Sequence, residues 1–491
     1  MGTPNVVFIL SDQHRWDFMG HETNGVTFTP NLDVLAETGV AFRSAWCTSP
    51  LCSPSRAAIA SGQYAVSSGC FTNLHELPPG TSGFVSQLRS AGYRTGAVGK
   101  THMEIHAYHS DLTLLKHRTY MDSLGWDGVS EVSGSGMLKT GIRCAYSEFL
   151  KGERMFEEVL AFYKRWRYFM DRAGPSTGPP DRGRPRGGQL REFECQAWPF
   201  EERFHETRFI ADEAVDWLRR QAALGPFFLH VGFAGPHSPI EPLPRFMDLY
   251  RDREEPMPRG VASCEPWLVD GRRGYRAMIS EIDEQVGRIR AFIDRLGLLD
   301  DTIFVYTADH GDMAGDFGLT GKVCFFEGSV RVPLIISGPG VAGGRHTSAL
   351  VELIDLGKTL CELCGVRPHA RDQGRSLLPV LSARCETHRD SVYAEMGCDR
   401  MIFDGRHKLM WGDPLLDERK LGRLHLDKPV NIPPSPPRLY DLEDDPHELR
   451  DLANDPASKP IIEALVRRLG TPTLEHVKTQ PNKPRGEYRP L

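Results

Sequence analysis

Three short apolar runs constrain the fold of this chain more than any other feature. They cover residues 6–10, 227–231 and 303–306 and are rich in β-branched and aromatic residues. Nearly continuous runs of this kind are typical of strands buried on both faces of a mostly parallel sheet. Helical patterns lie between the runs, at residues 31–38, 207–223 and 275–296. This alternation predicts an α/β fold, with a large, mostly parallel sheet flanked by helices.

Each run ends in a cluster of polar residues. Asp12 and Gln13 follow the first run, His237 follows the second, and Asp309 and His310 follow the third. In open α/β sheets, ligands bind beyond the carboxyl ends of the strands. The sequence therefore predicts that the three clusters contribute to one site.

The strand pattern also predicts how the chain is divided. We expect residues 1–381 to form a catalytic α/β domain, and residues 128–206, where the pattern lapses, to be an insertion that roofs the site. Residues 382–491 are expected to form a smaller antiparallel sheet with a packed helix. The segments that indicate this second unit are 391–395, 407–411 and 461–469.

Composition narrows the function class. The formal net charge of -6 argues against a general nucleic-acid binder. No stretch approaches the roughly 20 apolar residues of a membrane span, and the N-terminus lacks the flanks of a signal peptide. The 11 scattered cysteines favour reduced thiols and a cytoplasmic location. The sequence allows a homo-oligomer and predicts neither a nucleic-acid nor a membrane partner.

Four motifs carry the chemistry. They are Leu51-Cys52-Ser53-Pro54-Ser55-Arg56, ahead of a helical run at 57–61; Gly92-Tyr93-Arg94-Thr95 through Gly99-Lys100-Thr101-His102; Asp309-His310-Gly311 with Lys322 and residues 326–333; and Arg438-Leu439-Tyr440-Asp441-Leu442 with Glu448. In this order and over nearly the whole chain, they resemble the type I, formylglycine-dependent sulfatases of the alkaline phosphatase superfamily. The resemblance lies near the branch shared with choline sulfatases and phosphonate monoester hydrolases.

The resemblance implies that a formylglycine-generating maturase oxidises Cys52 to formylglycine (3-oxoalanine). It implies an alkaline phosphatase-like fold and hydrolysis of small-molecule sulfate monoesters. The aldehyde hydrates to a geminal diol, and one hydroxyl attacks sulfur and displaces the alcohol. Loss of the proton from the second hydroxyl then expels sulfate and regenerates the aldehyde, which a plain thiol could not do.

The resemblance also implies one divalent metal ion beside residue 52, held by Asp12, Gln13, Asp309 and His310. Oxygen ligands suit Ca²⁺, Mn²⁺ or Mg²⁺. Many sulfatases have a second Asp where this chain has Gln13, and Asn where it has His310. These departures lower the negative charge of the site and add a nitrogen ligand, which leaves both Ca²⁺ and Mn²⁺ open.

Five further residues complete the predicted site. Arg56, Lys100 and Lys322 are expected to offset negative charge on the transferring sulfuryl group and to hold residue 52 in place. By analogy with the family, His102 accepts the proton of the second hydroxyl, and His237 protonates the leaving alcohol.

Three other functions remain open at this point. Phosphonate monoester or phosphodiester hydrolases share the Cys-x-Pro-x-Arg pattern found here at residues 52–56, and the Asp-Gln and Asp-His pairs. They tend to lack the Lys and His that this chain keeps at positions 100 and 102. A two-metal phosphatase would need a second set of ligands. An inactive, anion-binding relative would not need an intact nucleophile. The alcohol half of the substrate stays open among aryl, choline-like, sugar and alkyl groups.

Overall fold

The computed structural model describes residues 3–23, 25–105, 110–166, 191, 193–397, 399–411 and 437–477. Its strands are β1 Asn5–Asp12, β2 Gly39–Phe42, β3 Ala45–Trp46, β4 Arg94–Gly99, β5 Gly128–Glu131, β6 Phe227–Pro236, β7 Thr302–Ala308, β8 Arg331–Val332, β9 Leu334–Ser337, β10 Arg345–Thr347, β11 Val351–Glu352, β12 Val392–Met396, β13 Asp399–Phe403, β14 His407–Trp411 and β15 Arg438–Asp441. Its helices are α1 Pro30–Thr38, α2 Cys52–Ser61, α3 Ala65–Ser68, α4 Phe84–Ser90, α5 Leu115–Ser123, α6 Ala145–Gly152, α7 Phe156–Tyr163, α8 Glu206–Gln221, α9 Pro244–Met247, α10 Pro266–Arg295, α11 Glu327–Val330, α12 Asp355–Leu363, α13 Leu378–Leu381 and α14 Lys459–Val477.

An eight-stranded sheet organises the larger part of the chain. Its strand order is β10-β2-β9-β7-β1-β6-β4-β5. Only β9 runs antiparallel to its neighbours β2 and β7, while the other pairings in this sheet are parallel. The predicted large, mostly parallel sheet is therefore confirmed. The strands β11, β3 and β8 form a separate small sheet.

Strand β1 shows why the apolar runs are continuous. Val6, Phe8 and Leu10 belong to the hydrophobic core on one face of the sheet, which also contains side chains of α4 and α12. Val7 and Ile9 belong to the core on the other face, which contains side chains of α1, α8 and α10. Because both faces of the strand are covered, every position along it favours an apolar side chain.

Two segments contain more regular structure than the sequence patterns indicate. Helix α10 begins at Pro266, nine residues before the predicted start, with proline in its first turn where a missing N–H costs nothing. The segment 128–206, predicted as an insertion, begins with β5, which pairs in parallel with β4 at the edge of the main sheet. Residues 167–190 and 192, including the arginine-rich part of this segment, lie outside the described residues.

A small antiparallel sheet follows the main sheet, as predicted. It has the order β12-β13-β14-β15. Ile402, Leu409 and Leu439 from its strands form a hydrophobic cluster with Leu465 and Leu469 of α14. Among the described residues, no helix combines the length and the apolar character needed to cross a membrane.

Candidate active site

Four neighbouring strands of the main sheet bring the predicted site residues to one edge. The strands β7, β1, β6 and β4 are adjacent and parallel, so their carboxyl ends lie together. The residues that end or follow them are Asp309 and His310 for β7, Asp12 and Gln13 for β1, His237 for β6, and Lys100 and His102 for β4. The site is thus assembled from residues that are far apart in sequence.

Cys52 is the first residue of α2 and lies at the centre of this edge. Its Sγ atom is 3.1 Å from Nε2 of His310 and 3.7 Å from Oδ1 of Asp12, and the residue is only 2% exposed. Burial and the Asp12 carboxylate oppose ionisation of the thiol, but Lys322, Lys100 and a hydrogen bond with His237 outweigh them and lower the pKa of Cys52. The site therefore favours an anionic oxygen or sulfur at position 52.

The donor set around Cys52 is suited to a divalent cation. One ligand atom from each of Asp12, Cys52, Asp309 and His310 lies within 4.8 Å of the others, and all four residues are buried. Ligand atoms at 2.0–2.6 Å from one ion are separated by about 3–5 Å, so these residues fit around a single ion. The Nδ1 of His310 donates to the carbonyl of Gly311 at 3.0 Å, which directs the lone pair of Nε2 towards the carboxylates. Burial and Lys322 contribute to a lowered pKa of His310, which favours the neutral imidazole that a metal requires.

Gln13 is held in the left-handed region, with φ of 69°. Its backbone N–H donates to Oδ1 of Asp309 at 3.0 Å, and its side-chain amide donates to the buried carboxylate of Asp312. The side-chain Oε1 accepts a hydrogen bond of 2.5 Å from Nζ of Lys322. A carbonyl oxygen has a second lone pair, so this contact leaves a position for a metal.

Arg56 contacts the carboxylates of the site directly. Its Nε atom is 2.7 Å from Oδ2 of Asp309, and one of its terminal nitrogens is 3.2 Å from Oδ2 of Asp12. The side chain has no exposed surface. In this structure Arg56 therefore orients the two carboxylates beside Cys52. That it offsets charge on the sulfuryl group stays a prediction.

The two histidines are positioned by backbone contacts. Nδ1 of His237 donates to the carbonyl of Ser238 at 2.7 Å, and the ring also hydrogen-bonds with Cys52. Burial and Lys322 lower the pKa of His237. His102 is 8% exposed and has a φ of 52°, and its backbone N–H donates to Oε1 of Glu131 at 3.1 Å.

Sequence reasoning missed Glu131 and Asp312, which support the site, and gave no role to Ser55 of the motif at 51–56. Glu131, at the end of β5, accepts hydrogen bonds from both N–H groups of Thr101 and His102. Asp312 holds the amide of Gln13, and Ser55 donates to the carbonyl of Asp309 at 2.5 Å. Asp312 directly follows Asp309-His310-Gly311, so its place next to a site motif could have indicated a supporting role. The role of Glu131 depends on the pairing of β5 with β4, which no local pattern indicates.

Comparison with known proteins identifies the family. The family model described as Sulfatase matches residues 4–366, a range that contains every site residue described above. The chain belongs to the Sulfatase family.

Two relatives of this sulfatase-family chain are similar over most of their length. An arylsulfatase of Clostridium perfringens is 28% identical over 94% of this chain and 92% of its own. A choline-sulfatase of Rhizobium meliloti is 30% identical over 93% of this chain and 83% of its own. A solved structure, the phosphonate monoester hydrolase of Agrobacterium radiobacter, has a TM-score of 0.74 and 23% identity, with 96% of both chains covered. At 23% identity, the similarity to this structure shows only the fold, which is alkaline phosphatase-like.

Proposed function

We propose that this sulfatase-family chain hydrolyses small-molecule sulfate monoesters, with Cys52 converted to formylglycine and one divalent metal ion beside it. One observation carries the proposal. At the meeting point of four strand ends, Sγ of Cys52 lies 3.1 Å from His310 and 3.7 Å from Asp12. In a hydrated aldehyde, two hydroxyl groups would be bonded to Cβ of residue 52 in place of this sulfur. They would lie next to the candidate metal ligands and proton carriers.

The metal would be held by Asp12, Gln13, Asp309 and His310 together with residue 52. The mixture of oxygen donors and one imidazole supports Ca²⁺, Mn²⁺ or Mg²⁺. When bound, such an ion lowers the pKa of a coordinated hydroxyl and offsets charge on the sulfate oxygens.

The side chains then divide the proton transfers between them. The attacking hydroxyl at position 52 passes its proton to His237, which is neutral beforehand because its pKa is lowered and whose ring hydrogen-bonds with residue 52. The oxygen forms a bond to sulfur while the bond from sulfur to the alcohol oxygen breaks, and His237 then delivers that proton to the alcohol oxygen. His102 subsequently removes the proton of the second hydroxyl, which allows sulfate to leave and restores the aldehyde. Lys100 and Lys322 supply positive charge near the anion throughout.

The proposed insertion would contact the alcohol half of the substrate. Gly134 lies three residues after the end of β5, and a Cβ added there would lie 4.0 Å from Nζ of Lys100. The loop that follows β5 thus runs beside the site, which supports residues 128–206 as a roof over it. We further propose a maturase as the modifying partner and a cytoplasmic location.

A phosphonate monoester or phosphodiester hydrolase is the second candidate. Gln13 and His310 favour it, because relatives with that activity have the same Asp-Gln and Asp-His pairs. Lys100 and His102 favour sulfate esters. In this structure Nζ of Lys100 is 2.5 Å from Oδ2 of Asp12, so the lysine is an integral part of the site.

A substrate panel separates the two candidates. Protein co-expressed with a maturase would be assayed against aryl, choline-like, sugar and alkyl sulfates, and against matched phosphonate monoesters and phosphodiesters. We expect the highest kcat/KM for a sulfate ester, with slower hydrolysis of the phosphorus esters. If a phosphonate monoester or phosphodiester exceeds every sulfate ester, the second candidate replaces the first.

A further inference from the structure

A second group of metal-binding side chains lies outside the active site. His21 and Glu22 belong to the 3-10 turn Gly20–Glu22, and His346 lies on the edge strand β10. One ligand atom from each lies within 4.8 Å of the other two. We propose that these three residues form a binding site for a divalent transition metal of the zinc class, independent of the active-site metal and of the proposed function.

His21 is already oriented as a metal-binding histidine. Its Nδ1 is 3.3 Å from Oδ1 of Asp33 on α1, and its backbone N–H donates to the same oxygen at 3.2 Å. With the proton on Nδ1, the lone pair of Nε2 is available on the side of Glu22, whose Oε1 lies 3.8 Å away. A histidine held by a carboxylate in this way is the usual arrangement around protein-bound zinc.

The distances require only a small adjustment. Nε2 of His21 is 3.8 Å from Oε1 of Glu22, and the rings of His21 and His346 have centroids 5.5 Å apart. Ligand atoms around a tetrahedral zinc ion are separated by about 3.3 Å. The His21 and Glu22 side chains are each 15% exposed and are therefore constrained, whereas His346 is exposed and can move towards them.

Arg43 is the group that competes with a cation. Its Nε atom is 3.2 Å from Oε1 of Glu22, and its side chain is 50% exposed. A metal would meet the positive charge of Arg43 but could displace it into solvent, because half of the side chain is already there. The site should therefore bind more tightly when Arg43 is neutralised.

The donor chemistry differs from that of the active site. Two imidazoles and one carboxylate suit zinc and related transition metals, while Ca²⁺ and Mg²⁺ prefer oxygen ligands. A bound ion would connect the turn at 20–22 to β10, which is held in the sheet by three residues paired with β2. The expected effect is stabilisation of this sheet edge.

The test uses the full-length protein with its active site saturated with Ca²⁺ or Mg²⁺, titrated with Zn²⁺ by calorimetry. We expect wild type to bind one equivalent more than His346→Gln, with unchanged kcat in that variant. His447→Gln, which removes an exposed histidine elsewhere, should bind like wild type. Asp33→Asn should weaken the additional site by about 10–100-fold.

Arg43→Met provides a test in the opposite direction, since it should lower the dissociation constant of the additional site. Equal stoichiometry and affinity in wild type and His346→Gln would overturn the proposal. So would unchanged or weaker binding in Arg43→Met.

Discussion

Nζ of Lys100 lies 2.5 Å from Oδ2 of Asp12, and both side chains are almost completely buried. The two residues end up together because β4 and β1 are both parallel neighbours of β6. Burial alone would favour the neutral carboxyl, but Lys100, together with His237 and Arg56, holds the pKa of Asp12 well below its usual range. Asp12 is thereby kept anionic, which suits the metal-binding role proposed for it.

Lys100→Ala should reduce kcat strongly. It removes one of the positive charges near the reacting anion, and loss of one such stabilising group commonly costs about 10²–10³ in rate. Steady-state kinetics with an aryl sulfate would measure the effect, and Lys116→Ala, at an exposed position on α5, is the matched control. A kcat near that of wild type would remove Lys100 from the mechanism.

His102→Ala should block the second half of the reaction. Without a base for the second hydroxyl, kcat should fall by about 10²–10⁴, and sulfated protein should accumulate. Rapid quenching followed by intact-mass spectrometry would detect the added sulfate. Glu131→Gln weakens the hydrogen bonds that hold the backbone of the loop carrying His102. It should therefore reduce kcat less than His102→Ala does. A variant at position 102 that turns over normally would contradict the assigned role.

Lys408 joins the C-terminal sheet to the segment beside the active site. Its fully buried Nζ is 3.0 Å from Oε1 of Glu327 and 2.7 Å from Oε1 of Glu448. The backbone carbonyl of Ser329, on the same helix as Glu327, accepts a hydrogen bond from the N–H of Gly311, next to His310. Lys408→Met leaves the buried carboxylate of Glu448 without this cation and, among the described residues, that of Glu327 with Arg331 alone. It should therefore lower the free energy of unfolding by about 3–5 kcal/mol.

Denaturant unfolding would measure this loss. The triple variant Lys408→Met, Glu327→Gln and Glu448→Gln also removes the two buried carboxylate charges, so it should be more stable than the single variant. If the triple variant is equally unstable or worse, the effect of position 408 comes from packing and not from charge.

His205 should make stability depend on pH. Its Nδ1 is 2.6 Å from Oε1 of Glu281 in the interior. Burial opposes protonation, but Glu281 outweighs it and raises the pKa of His205 to about 9. Because the pKa of His205 is raised in the folded state, its protonation stabilises the fold in full at pH values below the unfolded pKa, near 6.5. This contribution is lost as the pH rises towards the folded-state pKa of about 9.

The corresponding loss is on the order of 3 kcal/mol, and His205→Gln should remove it. Denaturant unfolding at a series of pH values between about 6.5 and 9 would show a flatter profile in the variant. His447→Gln, at the surface, should keep the wild-type slope. Identical slopes in wild type and His205→Gln would contradict the assignment.

The pattern of apolar and polar residues along the chain predicted the central strands of the main sheet and the site at their carboxyl ends. The runs at 6–10, 227–231 and 303–306 became β1, β6 and β7, and their polar ends meet at one edge because parallel strands place their carboxyl ends together. The antiparallel direction of β9 and the place of β5 in the sheet were not predictable in this way. Both depend on pairings between distant segments, which side-chain periodicity does not record.

The same limit applies within the candidate site. Cys52, Asp12 and Asp309 stand in recognisable motifs, so sequence alone suggested them. The contacts of Arg56 with the two carboxylates, and of Glu131 with the loop that carries His102, require three-dimensional proximity. Sequence thus identified candidate chemistry more readily than the supporting groups that orient it.

The most direct measurement compares turnover with the fraction of Cys52 that has been converted. Protein made with and without a co-expressed maturase would be digested, and the peptide containing position 52 weighed for the loss expected of thiol-to-aldehyde oxidation. We predict that kcat for a sulfate ester rises in proportion to the converted fraction, and that folded Cys52→Ala is inactive. Turnover that is independent of conversion, or full activity in Cys52→Ala, would contradict the account.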